Sequence, residues 1–166
     1  MVATLASYPA YDLLPAPGMD VLTLLKNDHD EVKRLFKQIE DAEGAKAREL
    51  WQQISSRLSL HEELEETLFY PPLRQEEAAK DLILESYQEH HVMDVLMKEI
   101  SGLKPSDEAW QPKIKVLQEN TEHHIEEEEG ELFPKVRKIW KTDKREEVGR
   151  QMQKMKEQRQ KQRSAA

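Results

Sequence analysis

The chain has 166 residues and a mass of 19.5 kDa, which fits one domain of ordinary size and leaves no room for two. An aromatic share of 6 %, only 5 glycines and no run of about 18 uncharged apolar residues exclude an aromatic-rich β fold and a membrane span, and the absence of cysteine excludes disulfides, iron–sulfur clusters, thiolate zinc sites and thiol catalysis. The formal charge of -8 is uneven: from Lys141 onward nine Lys or Arg stand against four Asp or Glu, leaving 16 against 29, a net of -13, in residues 1–140, so the body is a poor partner for nucleic acid.

Residues 1–18 are broken by Pro9, Pro15 and Pro17 and lack the basic start and unbroken apolar core of a secretory signal, so an irregular leader and a cytoplasmic compartment are expected. After Asp20 as N-cap, Val21, Leu22, Leu25, Val32, Leu35, Phe36 and Ile39 form a stripe at helical spacing, expected to end near Gly44. A second stripe, Leu50, Trp51, Ile54, Leu58, Leu68 and Phe69, is expected to stop at Pro71 and Pro72, because proline lacks a donor and clashes with the preceding turn. A third runs from about Glu76 to Leu103, before Pro105. The fourth passes through Ile114, Leu117, Leu132, Phe133, Val136 and Ile139, with a bend expected at Pro134. A basic segment from Thr142 to Gln160, with Val148, Met152 and Met155 on one side, is expected to cap or flank these helices and then fray. The class is therefore all-α: an antiparallel up-down four-helix bundle over residues 19–140, followed by an additional basic C-terminal helix in 141–166.

All six histidines lie on these helices. His29 sits between Leu25 and Val32, and His90 between Tyr87 and Met93. His61 precedes Glu65 by four and His124 precedes Glu128 by four, spacings that put imidazole and carboxylate on one face. The second half repeats the first. His29 precedes His61 by 32 residues and His90 precedes His124 by 34; Glu65, Glu66 and Pro71 follow His61 at the same offsets as Glu128, Glu129 and Pro134 follow His124. After His29 and after His90 alike, apolar residues fall at offsets three, six, seven and ten, which argues for an internal duplication and hence a symmetric site.

Carboxylates buried beside histidines cost several kcal/mol unless protonated, paired or bound to a cation, and no Lys or Arg lies on those faces near the motifs. A metal site made of His29, His61, Glu65, His90, His124 and Glu128 is the economical account. Four imidazoles and two carboxylates suit first-row cations and supply donors for two of them; one zinc needs only about four ligands, and calcium takes oxygens. Iron is favoured, with manganese as the alternative. None of the six histidines has Glu three residues before it, against the ferritin-like arrangement. His91 and His123, about 100° round their helices from His90 and His124, are expected in an outer layer or at the surface, as are Glu66 and Glu129. Tyr87, one turn before His90, is expected in the core with its hydroxyl available to a bound ligand.

The segments NDHDEVKRLF around His29, LHEELEETLFYP around His61 and Glu65, QEHHVMDVLM around His90 and HHIEEEEGELFP around His124 and Glu128 together resemble the hemerythrin-like, or HHE cation-binding, family over about residues 20–138. The resemblance implies a bundle enclosing two Fe ions in an oxo- or hydroxo-bridged non-haem di-iron centre with two carboxylate bridges. It implies a small partner, a diatomic ligand or peroxide, and a function in binding or sensing dioxygen, nitric oxide or iron; the alternatives are a di-iron oxidoreductase consuming peroxide or nitric oxide, and a metal that only stabilises the fold. Oxygen-carrying members place a further His one turn after the helix-three ligand, where this chain has Asp94, so a fifth nitrogen comes from elsewhere, with His91 as the candidate, or is absent. Members that repair iron centres commonly carry a cysteine-bearing N-terminal segment, and this chain has no cysteine.

Overall fold

The computed structural model describes residues 19–164, and the expected leader, 1–18, lies outside them. Helix α1 spans Val21–Ile39, α2 Gly44–Leu64, α3 Tyr70–Leu73, α4 Glu77–Ser101, α5 Trp110–Glu127, α6 Phe133–Ile139 and α7 Thr142–Ser164. Two π-helical turns, Glu65–Phe69 and Glu128–Leu132, join α2 to α3 and α5 to α6, so the four long arms of the bundle are α1, α2–α3, α4 and α5–α6. Among the described residues there is no strand, and no helix is long and apolar enough to cross a membrane. The Asp20 carboxylate accepts from Leu22 N at 2.9 Å and caps α1 as expected.

Three boundaries differ from the sequence reading. Helix α1 ends at Ile39, and Gly44 opens α2 with a φ of 54° that an L side chain rarely adopts. The second arm does not stop at Pro71 and Pro72. The π-turn releases the chain into a new helix, α3, whose first positions these prolines occupy, where no N–H is needed. The C-terminal helix runs on to Ser164, past the fraying expected after Gln160, because Arg159 is held by Glu63 at 2.7 Å and by Gln162 at 3.1 Å.

The apolar core is split in two. One cluster joins Leu25, Leu64, Phe69, Ile83, Phe133 and Val136 with Val148 and Met152 of α7; the other joins Phe36, Trp51, Ile54, Met97, Ile100 and Trp110. The polar groups of the four arms meet between them. Helix α7 packs across α1 and α2, and Gly149 lets it come close: a Cβ there would lie 1.9 Å from the Met19 carbonyl oxygen.

Candidate metal centre

All six expected donors converge at that waist, and all are buried. His29 Nε2 and His61 Nε2 lie 3.2 Å apart, with Glu65 Oε1 3.1 Å from His61 Nε2 and Glu128 Oε2 3.3 Å from His29 Nε2. His90 Nε2 and His124 Nε2 lie 3.3 Å apart, with Glu65 Oε2 3.3 Å from His90 Nε2 and Glu128 Oε2 3.9 Å from His124 Nε2. Glu65 thus reaches both histidine pairs and Glu128 Oε2 lies between His29 and His124; the donor atoms of His29, His61, Glu65 and Glu128 fall within 4.8 Å of one another, as do those of Glu65, His90 and His124.

The donor set fits a pair of cations. Glu65 Oε1 and Glu128 Oε2 are buried without a hydrogen-bond partner, the nearby imidazole nitrogens lying outside hydrogen-bonding directions. Two Nε2 atoms facing each other at 3.2 Å can share at most one proton, so lone pairs converge on one point from two helices. Burial pushes the His29 and His61 imidazolium constants down, but the surrounding carboxylates outweigh it and raise both. Burial raises the Glu65 carboxyl, yet His61 and His90 hold it well below the usual range.

Behind the donors lies a ring of carboxylates. Glu129 Oε1 is 2.9 Å from His29 Nδ1, Glu66 Oε1 is 2.9 Å from His90 Nδ1, and Glu89 Oε2 is 2.7 Å from His124 Nδ1. Each repeat therefore braces the other: Glu66 of the first holds His90 of the second, and Glu129 of the second holds His29 of the first. Glu66 and Glu129, expected only as outer residues, orient imidazoles and raise their basicity. Asp28, facing His61, and Glu89 were not singled out from sequence, although each precedes the first histidine of its repeat.

Two other residues were missed. Tyr70 is fully buried, and its hydroxyl donates to Glu128 Oε1 at 2.8 Å, with Glu65 Oε2 at 3.2 Å and His90 Nε2 at 3.4 Å. Burial and the Glu128 and Glu65 charges hold this phenol well above its ordinary constant, so it remains a donor. The role expected of Tyr87 belongs to Tyr70; Tyr87 packs edge-on against its ring at 5.4 Å. Glu62 is buried beside a hollow of about 10 Å³ lined by Val32, Leu58, Met93 and Ile125, room for about one water-sized group. Burial pushes its carboxyl to about 8, with His90 opposing and Asp94 reinforcing.

His91 and His123 are exposed, so His91 supplies no fifth nitrogen to the centre. Asp94 is exposed too and lines a surface cleft with Ser55 and Ser59, although its carboxylate also meets buried Glu62. The donor beside His90 is the Tyr70 hydroxyl, delivered from another arm.

The Hemerythrin HHE cation binding domain matches residues 20–136. The crystal structure of a hemerythrin HHE cation-binding domain-containing protein from Mycobacterium kansasii is similar with a TM-score of 0.71 and 26% identity, covering 81% of this chain and 83% of that one. A protein of Nostoc sp. named DNA nickase is 27% identical over 130 residues, 78% of this chain but 37% of that protein, so the chain spans little more than a third of that relative's length.

Proposed function

The chain belongs to the hemerythrin HHE cation-binding family, and from that premise we propose that His29, His61, Glu65, His90, His124 and Glu128 hold two iron ions and that the protein binds or senses a small ligand: dioxygen, nitric oxide or iron itself. The observation that carries this reading is the pair of bridging carboxylates, each with a buried oxygen that has no hydrogen-bond partner, set between two pairs of opposed imidazoles. Iron, when bound, supplies a change of oxidation state and an open coordination position. The chain supplies the rest. Glu65 and Glu128 span the two positions, Glu66, Glu89 and Glu129 fix three imidazoles from behind, and Val32, Leu58, Met93 and Ile125 keep the adjoining hollow small and apolar. A hollow of about 10 Å³, with room for about one water-sized group, excludes organic substrates.

A second reading, a di-iron oxidoreductase consuming peroxide or nitric oxide, is favoured by two buried groups next to the donors, the Tyr70 phenol and the Glu62 carboxyl that burial pushes up to about 8. The nicking of DNA named for the Nostoc relative is not proposed here, because residues 1–140 carry 16 Lys or Arg against 29 Asp or Glu and repel a polyanion. The chain is expected to take up about two iron atoms and to display near-ultraviolet charge-transfer bands when oxidised. Metal analysis with an absorption spectrum tests this. Stoichiometric zinc with no iron uptake after reconstitution sinks it, and manganese in place of iron changes the metal but not the site.

A further inference from the structure

Three of the four imidazoles are braced from behind by a carboxylate at 2.7–2.9 Å, and the fourth is not. His61 Nδ1 is buried with no hydrogen-bond partner, because Asp28 Oδ2 stands 3.9 Å away. Asp28 precedes His29 as Glu89 precedes His90, so the repeat gives them the same task; Glu89 performs it on His124 at 2.7 Å and Asp28 falls short. Two features separate them. Aspartate is one methylene shorter, and the Asp28 side alone is covered by α7, whose Lys156 ammonium pairs with Asp28 Oδ1. Both partners are largely buried, with side-chain exposures of 17% and 13%, so the pair is little screened and holds the carboxylate toward α7.

We propose that Lys156 is a positioning residue for His61: by holding Asp28 on the α7 side it leaves this imidazole unbraced and makes the His29–His61 half the looser of the two cation positions. The inference rests on the di-iron reading above. A carboxylate on the far nitrogen of a ligating imidazole fixes its tautomer and raises its basicity, and its loss costs roughly 10–100-fold in metal affinity. The route out lies on the same side, since Asp28, His61 and Lys156 line a cleft of about 390 Å³ open to solvent. Helix α7 does not depend on this pair for docking. Arg145 holds Asp20 at 2.7 Å, Arg159 holds Glu63 at 2.7 Å, and Val148 and Met152 are buried in the core.

The test uses the full chain with two variants and two readouts. Lys156→Met removes the ammonium and frees Asp28; Asp28→Glu lengthens the carboxylate by the missing methylene while keeping the ion pair. In the iron-loaded wild type, a ferrous chelator under reducing conditions should withdraw iron in two phases of equal size. Either variant should slow the fast phase roughly tenfold or more, toward the slow one, while Arg159→Met, which loosens α7 without touching Asp28, should leave both phases in place. In the metal-free protein with 15N-labelled histidine, the His61 Nδ1 resonance should change to that of a hydrogen-bonded nitrogen in both variants and stay unbonded in the wild type. A single phase in the wild type, or an unchanged fast phase in both variants, overturns the inference and leaves the di-iron reading standing. A wild type that takes up no iron overturns that reading at the loading step, and the nitrogen resonance then decides by itself whether Lys156 restrains Asp28.

Discussion

Tyr70 Oη lies 2.8 Å from Glu128 Oε1, a phenol of the first repeat bonded to a buried carboxylate of the second. Its counterpart nine residues after His124 is Phe133, whose ring stacks on His29 at 6.0 Å with an interplanar angle of 12° and offers no hydroxyl. The duplicated fold thus holds one polar and one apolar neighbour at equivalent places. Tyr70→Phe should destabilise the metal-free protein by about 1–3 kcal/mol, the cost of leaving a buried acceptor unpaired, and the iron-loaded protein by less, because a cation then satisfies Glu128. Denaturant unfolding of both forms checks this, and equal losses would place the phenol outside the centre's bonding network.

The four arms and the six donors were legible in the sequence because each rests on helical periodicity, which survives as long as the helix is regular. Tyr70 was not. Nine residues after His61, regular α-geometry at about 100° per residue puts it half a turn away from the histidine face. The π-turn over Glu65–Phe69, closed by Tyr70 N–H to Glu65 O, adds a residue and brings the ring round onto the centre. Pro71 obscured the same event: a proline in helical spacing signals an end, and here it begins the next segment. Which histidine each outer carboxylate braces was hidden for a different reason. Glu66 and Glu89 brace histidines on other helices, a contact between arms that spacing along one arm does not encode.

On α4 burial favours His90 over its neighbour, His90 being 1% exposed and His91 on the surface. His90→Ala removes a donor together with the group that Glu66 braces and should cost at least roughly tenfold in affinity for one of the cations. His91→Ala and His123→Ala should leave loading intact. Iron per chain after equilibration with a competing chelator measures all three, and loss of metal in His91→Ala with retention in His90→Ala would mean that α4 is rotated from its assigned face.

Protons and cations compete for the same nitrogens, which gives metal removal a pH signature. Burial lowers the His90 imidazolium constant, but hydrogen bonds to Glu65 and Glu66 and their charges raise it from 6.5 to about 10. With the folded-state constant above the unfolded one, this proton stabilises the metal-free fold fully below pH 6.5, and the benefit is lost as pH rises toward about 10. Metal uptake releases protons and strengthens over the same window. The melting temperature of the loaded protein should therefore exceed that of the metal-free form, by a margin that widens with pH. A margin that is zero, or that narrows as pH rises, contradicts the buried site.

Gly149 offers a test of the docking of α7 that does not involve metal. Its added Cβ would meet the Met19 carbonyl oxygen at 1.9 Å and Val21 N at 3.0 Å, both backbone atoms that cannot swing aside as a side chain does. Gly149→Ala must push α7 away from the start of α1 and should cost about 1–3 kcal/mol, the usual range for overpacking. Thermal unfolding reads the loss. Full wild-type stability would mean that α7 sits farther out than this crossing requires.

Whether the centre carries or consumes its ligand turns on its donors. Four imidazoles, two carboxylates and a phenol lie together, and a fifth imidazole does not, since His91 and His123 are exposed. On the proposed di-iron reading, a nitrogen-poor pair of irons with a proton donor beside it would be poorly suited to holding dioxygen unchanged. The reduced protein should therefore be oxidised directly by air within minutes, with no absorbance change that argon reverses. Stopped-flow spectra after mixing the reduced protein with dioxygen follow this, and a band in the visible that bleaches reversibly under argon would restore oxygen carriage. Tyr70→Phe should alter the oxidation rate, as it removes the one hydroxyl that touches Glu65, Glu128 and His90 together. If direct oxidation is seen, steady-state turnover with hydrogen peroxide and with nitric oxide separates the two readings: rates well above a His61→Ala control make the protein an oxidoreductase, and rates equal to that control leave it a sensor.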